Sequence, residues 1–474
     1  MNFLIYDLIF LAFFLIVFSI FLYARRKNLK REGLLYLYRT SWGIRFINYV
    51  GKKYKRTLKA LSYVSVTLGY FLMAGVLYLI YTIVKIYIFS PHIVRAIKVP
   101  PIMPLVPYLP QVFKLEFLPP FYFTYWIIII AIIATTHELA HGIFAAYNKI
   151  KIKTTGFGFF PFFLPIFLAA FVELDEKTMA KKKKFPQLAI LSAGTFANIL
   201  TAILFLGALL LFFSLAFTPS GIVFDTYATS SIAIAGISSI NSVQLNNASY
   251  DSVLGLMNEQ GLNEIIAEGD VYLSTKEMAE SQEDGEILYV YNSAPAIKAN
   301  LSSIITEING VEVNSIDALV EELSKYNIGE EITLETMVEE GVVEKTLVLE
   351  EHPEAPGIAW LGIGFISGPQ TGILGRIMNT LSFKESNVYY KPKFNEMSVF
   401  IYNLLWWLVI ISLSVALINM LPVGIFDGGR FFYLTILALT KKEKTAKKVF
   451  MLSTKFFIFL LFLLIIFWAI SFIR

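Results

Sequence analysis

The sequence predicts a polytopic α-helical membrane protein with about six transmembrane helices and an α+β domain inserted between the fourth and fifth. Three observations carry this. Of 474 residues, 56% are hydrophobic and only 16% charged, and the mean hydropathy is +0.63; a soluble globular domain has about 25% charged residues. Six stretches, 3–23, 61–89, 121–147, 187–217, 398–420 and 450–473, are apolar and long enough to cross a bilayer, which takes about 20 residues. Finally, residues 218–397 hold 27 of the 36 acidic and 8 of the 40 basic residues, a net −19 against +23 for the rest. Disorder and low complexity are excluded by the same composition. The absence of cysteine excludes a disulfide framework, a thiol nucleophile and Cys-ligated metal, so a metal site must draw on His and carboxylates.

The first span lacks a basic flank before it and a small-residue cleavage site after it, and reads as a retained anchor. The loop Arg25–Lys59 carries twelve Lys/Arg and a single acid, Glu32. Span two follows. The loops after spans three and five are basic too, through Lys149, Lys151, Lys153, the run Lys181–Lys184, and Lys441, Lys442, Lys444, Lys447 and Lys448. Basic loops stay cytoplasmic, so these three alternate loops belong inside, and both termini and the 218–397 segment outside. The parity works for six spans. With no organelle address motif, the expected location is a prokaryotic plasma membrane.

Residues 154–175 are apolar but broken by Gly156, Gly158, Pro161 and Pro165, which disfavours a spanning helix. A re-entrant or surface-dipping element, as a β-hairpin, fits better. Within the acidic segment, 286–293 reads as a strand and 304–313 as a hairpin turning at Asn309-Gly310. Ser315 reads as the N-cap of a short helix, and 331–337 and 342–349 as paired strands around Glu339-Glu340-Gly341. Residues 221–285 are polar and less patterned. The scattered acids there show no metal-ligand spacing; they suit a solvated surface or a charge filter for substrates equally.

Span three contains Thr136-His137-Glu138-Leu139-Ala140-His141. Residues four apart share a helix face, so His137 and His141 can present imidazole nitrogens to one metal ion, with Glu138 placed to accept a proton from the attacking water. This is the H-E-x-x-H arrangement of zincins. Ionisable residues inside an apolar span are functional by default. A third ligand is available at the end of span five, in Asn419-Met-Leu-Pro422-Val-Gly-Ile-Phe-Asp427-Gly428-Gly429. Pro422 and Gly424 would break the helix, Gly428-Gly429 would turn, and Asp427 would be an acid on irregular backbone at membrane depth, where a cation offsets its desolvation. Two His and one Asp leave a fourth position open, as in a catalytic rather than structural site. The sixteen residues from Phe121 to His137 rise about 24 Å, which places both motifs in the cytoplasmic half of the bilayer.

The chain resembles the site-2 protease family of intramembrane metalloproteases over residues 120–474. The matching residues are HELAH at 137–141 and N-x-x-P-x-x-x-x-D-G at 419–428, in the family's order, and SAPAIKANL with IITEINGVEV resembles a PDZ domain at about 285–352. The resemblance implies Zn2+ held by His137, His141 and Asp427, Glu138 as general base, and Asn419 as a catalytic residue holding substrate or oxyanion. It also implies a catalytic role for Asn198, which like Asn419 could supply the amide donor to the oxyanion, in a Gly-x-x-x-Asn motif (Gly194 to Asn198) that has Thr195 where the family usually has proline. Ser302-Ser303 stands where a PDZ domain has Gly-Asp. The implied activity is hydrolysis of peptide bonds within or near transmembrane segments of membrane-protein substrates.

The implied domains are 1–120, a two-span addition with a basic loop; 121–217, the HExxH span, re-entrant segment and next span; 218–397, the acidic region with the PDZ-like module; and 398–474. The expected partners are transmembrane protein substrates and the lipid bilayer, with no nucleic acid. Two other readings stand beside this one: a zinc protease whose third ligand is Glu173, Asp175 or Glu176, and a proteolytically silent metal-binding scaffold or transporter. His92 and His352 read as ordinary surface residues.

Overall fold

The computed structural model describes residues 3–32, 35–90, 94, 100, 103–115, 118–159, 168–282, 285–338, 341–365 and 383–470. In chain order its main helices are α1 (Phe3–Ala24), α2 (Ile44–Lys53), α3 (Lys55–Phe89), α4 (Phe123–Tyr147), α5 (Lys184–Ala216), α6 (Tyr250–Leu256), α7 (Ile316–Leu323), α8 (Asn395–Asn419), α9 (Asp427–Thr440) and α10 (Glu443–Ile470). Six of them, α1, α3, α4, α5, α8 and α10, are long and apolar enough to cross a membrane. The chain is a multi-pass integral membrane protein. It divides into two compact units, Met1–Phe213 with Val399–Arg474, and Ser214–Ser398.

In the membrane unit the core is built where α3, α4, α5 and α9 meet. Val66, Leu72 and Met73 of α3 pack with Phe144 of α4, Leu188 and Ala193 of α5, and Phe431 of α9. Small residues bring the backbones close, as membrane helices require: Ser65 Oγ lies 2.7 Å from Ser192 Oγ. A Cβ on Gly69 would be 3.1 Å from that of Ser192. The second span is thus part of the same core as the HExxH helix.

The loop 25–59, expected only to be basic and cytoplasmic, folds. Strands β1 (Leu29–Glu32) and β2 (Leu35–Thr40) form an antiparallel ladder that continues into β3 (Ile152–Phe159) and β4 (Leu168–Leu174), in the order β1-β2-β3-β4. The alternation of Leu35, Tyr36, Leu37 and Tyr38 makes this possible, because aromatic residues suit a pleated, half-buried surface. Tyr38 stacks on Phe157 with ring centroids 5.1 Å apart. Gly156 is required by the pairing: a Cβ there would run into the Tyr38 carbonyl. The antiparallel pair expected within 154–175 is present as β3 and β4. Pro161 and Pro165 lie outside the described residues.

At the end of α8 the backbone breaks as Pro422 dictates, and Met420 to Phe426 make a compact turn. The sequence reading of Asp427 as an acid on irregular backbone is corrected here. Asp427 is the first residue of α9, and Gly428 and Gly429 lie in its first helical turn. They are glycines because the helix starts against the turn before it. A Cβ on Gly428 would sit 2.6 Å from Met420 Cα, and one on Gly429 equally close to the Val423 carbonyl carbon.

The second unit holds two six-stranded antiparallel sheets. The strands of these two sheets are β5 (Phe217–Val223), β6 (Thr229–Ala233), β7 (Ile237–Ile240), β8 (Val243–Gln244), β9 (Asn263–Ala267), β10 (Asp270–Ser274), β11 (Ile287–Asn292), β12 (Ile304–Ile308), β13 (Val311–Glu312), β14 (Glu331–Val338), β15 (Gly341–Val348) and β16 (Val388–Pro392). One sheet runs β15-β14-β12-β5-β16, with β13 also on β12; the other runs β6-β11-β10-β9-β7-β8. The strand expected at 286–293 exists as β11 but belongs to the second sheet, because its inward residues Leu288 and Val290 pack with Ile232, Ile240 and Ile265. Residues 221–285, read as polar and less patterned, supply most of that core.

The two sheets share a pattern. A strand pair turns through positive-φ residues, Asn241-Ser242 in one and Asn309-Gly310 in the other. A serine-capped helix follows in each, Ser249 for α6 and Ser315 for α7. A further hairpin, β9-β10 or β14-β15, completes both. Residues 339–340, between β14 and β15 in the chain, lie outside the described residues. So does His92, whereas the His352 ring packs at a tilt against that of Trp360.

Candidate active site

α4 carries the HExxH residues two turns before its end. Its N-terminus has no side-chain cap from the adjoining residues, although its first N–H groups need acceptors. The acceptor comes from the first span. Asp7 is 1% exposed. Its Oδ2 accepts the Phe123 N–H at 2.8 Å and the Tyr108 hydroxyl at 2.6 Å, and its Oδ1 accepts the Thr124 N–H at 2.9 Å together with the Thr124 hydroxyl. An anionic carboxylate on a helix N-terminus gains from both hydrogen bonding and the macrodipole. Sequence reading missed Asp7, yet the signal was there: a lone acid in an otherwise apolar span is a site by default. Asp7→Ala removes a cap and leaves buried donors unmet, at an expected cost of about 1–3 kcal/mol. It should lower the thermal midpoint in detergent, with Asp7→Asn falling between the variant and wild type.

One helical turn brings His137 and His141 together, and α9 brings in Asp427. The two Nε2 atoms are 3.0 Å apart, and Asp427 Oδ2 lies 3.1 Å from that of His141 and 3.3 Å from that of His137. Among the described residues this is the single cluster of three such groups able to hold a metal ion. Two imidazole nitrogens and a carboxylate oxygen converging on one point are what a cation completes, and a tetrahedral zinc with ligands at about 2.0–2.1 Å spaces them by about 3.3 Å.

Two further features test the fit. The far nitrogen of each ligating His should donate to an acceptor, so that Nε2 keeps its lone pair for the metal. His141 Nδ1 lies 2.7 Å from the Ile190 carbonyl. His137 Nδ1 lies 3.0 Å from Asn198 Nδ2, while the buried Asn198 Oδ1 has no partner. Amide oxygen and nitrogen are assigned from such networks; turning the amide gives His137 Nδ1–H an oxygen and relieves the orphan. The second feature is room. A Cβ on Gly194 would lie 2.5 Å from His137 Nε2 and closer still to His141 Nε2, so the glycine keeps open the space beside the ligating nitrogens. The residues fit zinc.

These groups line a cavity of about 740 Å³. Glu138 and Asn419 also line it, and Ile129, Ile133, Ile411 and Val415 give it an apolar wall. Ala170 and Val172 of β4 form another side, and Glu138 Oε2 accepts the Val172 N–H at 2.8 Å. Charged residues stand at the rim: Arg430 pairs with Glu176 at 3.0 Å. Glu173 takes the Thr154 hydroxyl and pairs with Arg39 and Lys153. The Thr154 bond foremost, with those two cations, holds its carboxyl below the usual carboxylate range. Asn198 is fully buried beside His137 Nδ1 and is not among the residues that line the cavity.

The fold and the site define a class: a multi-pass membrane protein with a His-His-Asp zinc centre between helices. The profile of Peptidase family M50 matches residues 125–279 and 374–464, more than half of the chain, and the protein belongs to that family. Two curated relatives are similar. The uncharacterized protein MJ0971 of Methanocaldococcus jannaschii is 31% identical over 193 residues, covering 39% of this chain and 46% of that one. The zinc metalloprotease RasP of Shouchella clausii is 23% identical over 190 residues, covering 34% and 45%. The chain spans about half the length of the curated relatives that it matches.

Proposed function

We propose that the protein is an intramembrane zinc metalloprotease that hydrolyses peptide bonds within or near transmembrane segments of membrane-protein substrates. The convergence of His137, His141 and Asp427 beside Glu138, in a cavity with an apolar wall, carries this reading. The chemistry supplied by a zinc ion held there is Lewis-acid polarisation and a water made acidic toward a pKa of about 7. Glu138 accepts the proton from the attacking water and returns it to the leaving amine. Asn419, on the cavity wall, donates its amide to the oxyanion. Asn198 and the Ile190 carbonyl hold the two imidazoles in register.

A helical substrate hides its carbonyls, so it must be unwound to be cut. β4 is an edge strand of its sheet, and an extended segment added to it by β-augmentation would run past the metal ligands. The sheet containing β12, β14 and β15 with α7 is PDZ-like and serves substrate selection, and the basic loops favour an arrangement with it and both termini outside a prokaryotic plasma membrane.

The test is zinc content and cleavage of a single-span substrate for wild type and Asp427→Ala. Wild type should hold about one zinc and cleave, as a three-ligand site requires. Asp427→Ala should lose zinc by more than the about 10–100-fold that removal of an outer partner costs. Zinc retained by Asp427→Ala would overturn this reading in favour of a carboxylate near Glu173.

A further inference from the structure

Helix α2 has two different faces. On one, Ile47 and Gly51 are buried against α4. The contact is backbone-close from both sides: a Cβ on Gly51 would lie 2.7 Å from that of Ala146, and a Cβ on Gly142 would lie 2.9 Å from Ile47 Cδ1. Gly142 directly follows the metal ligand His141.

The other face of α2, with the residues that flank the helix, is exposed among the described residues. Trp42 is 77% exposed, Phe46 and Tyr49 are each 55% exposed, and Tyr54 is 47% exposed. Interleaved with them, Arg45, Lys52, Lys53, Lys55 and Arg56 are exposed. Lys53 Nζ lies over the Tyr49 and Tyr54 rings, 4.9 Å and 5.5 Å from their centroids. No acid occurs between Leu35 and Pro101. Chain continuity gives the depth of this face. One residue, Tyr54, separates α2 from α3, and the apolar stretch of α3 begins six residues later, about 9 Å along the helix. Aromatic rings and cations on one face of a helix held at that level are the signature of an interfacial element seated among headgroups.

We infer that the outer face of α2 is a docking site for anionic phospholipid headgroups, and that its occupancy steadies the HExxH helix through the Ile47–Gly142 and Gly51–Ala146 contacts. The occupant is lipid because the face is cationic and aromatic together, at the depth where anionic headgroups lie. The regulatory half of this inference rests on the protease reading above; the docking half does not.

The experiment uses the full chain in nanodiscs of phosphatidylcholine alone or mixed with phosphatidylglycerol. Hydrogen exchange of 44–53 and 141–147, zinc content and cleavage are measured for wild type and for Arg45→Gln/Lys52→Gln/Lys53→Gln. These three residues lie outside the zinc site, and unchanged zinc content reports an intact fold. Phosphatidylglycerol should slow exchange in both segments of wild type and raise cleavage. The triple variant should lose this response, since each basic residue at an anionic surface contributes about five-fold in affinity. A charge-reversed triple variant should stay unresponsive even at phosphatidylglycerol contents high enough to restore a response to the glutamine variant. Exchange that is the same in both lipids, or a response kept by both triple variants, would overturn the proposal. Slowed exchange in both segments without cleavage in any lipid would uphold docking and coupling and count against the protease reading instead. Protection of 44–53 alone would overturn the coupling.

Discussion

Glu138→Gln should keep about one zinc per chain and lose about 10²–10⁴-fold in cleavage rate, the usual worth of a positioned general base. The substitution is nearly isosteric and leaves His137, His141 and Asp427 untouched, so metal content and activity should separate. Its amide can still take the Val172 N–H through oxygen, so the contact to β4 survives and the loss reports chemistry. Metal-dependent transport surviving in Glu138→Gln, with no cleavage by wild type, would favour a non-enzymatic metal-binding protein.

The second large effect is expected where no side chain exists. Gly194→Ala puts a methyl group against both ligating nitrogens. Neither imidazole can yield, because each is held from behind, one by the Ile190 carbonyl and one by Asn198. Overpacking of this kind costs about 1–3 kcal/mol, or roughly five- to 150-fold in zinc affinity, and cleavage should fall with occupancy. Gly207→Ala on the same helix, where a Cβ meets nothing within 4 Å, is the matched control. Equal zinc affinity in the two variants would mean that Gly194 does not shape the site.

The zinc residues were legible because their chemistry leaves marks on sequence. The i, i+4 histidines occupy one face of an apolar helix, where they have no other reason to be. Asp427 was legible as a ligand but not in its backbone setting. Glycine pairs read as turns, and only the closeness of α9 to the Met420 backbone shows why they are glycines inside a helix. The spans followed from hydropathy, since lipid imposes length and apolarity directly.

The β-structure was less legible for two reasons. β1 and β2 lie in a segment whose lysines and arginines signal topology and mask the alternation of Leu35 to Tyr38. In the second unit the strands β6 to β10 are short, and polar residues such as Ser239, Asn263 and Ser274 are buried in them while Val271 is exposed, so no clean apolar alternation marks them. Pairing across long separations, such as β5 with β16, cannot be read from local pattern at all, because the partners lie in different parts of the chain and their register is set by what they bury.

The carboxylate that caps α4 bears on where this protein can be cut for study. The family profile begins at residue 125, one position beyond the last backbone N–H that Asp7 accepts. A fragment trimmed to the region of similarity would therefore start with its zinc-ligand helix unanchored at the N-terminal end. It would also lack β2, the neighbour of β3, and Ile47, which fills the hollow at Gly142. Minimal versions of this protein should be drawn by its hydrogen bonds, from the first span onward, and not by the edges of its likeness to relatives.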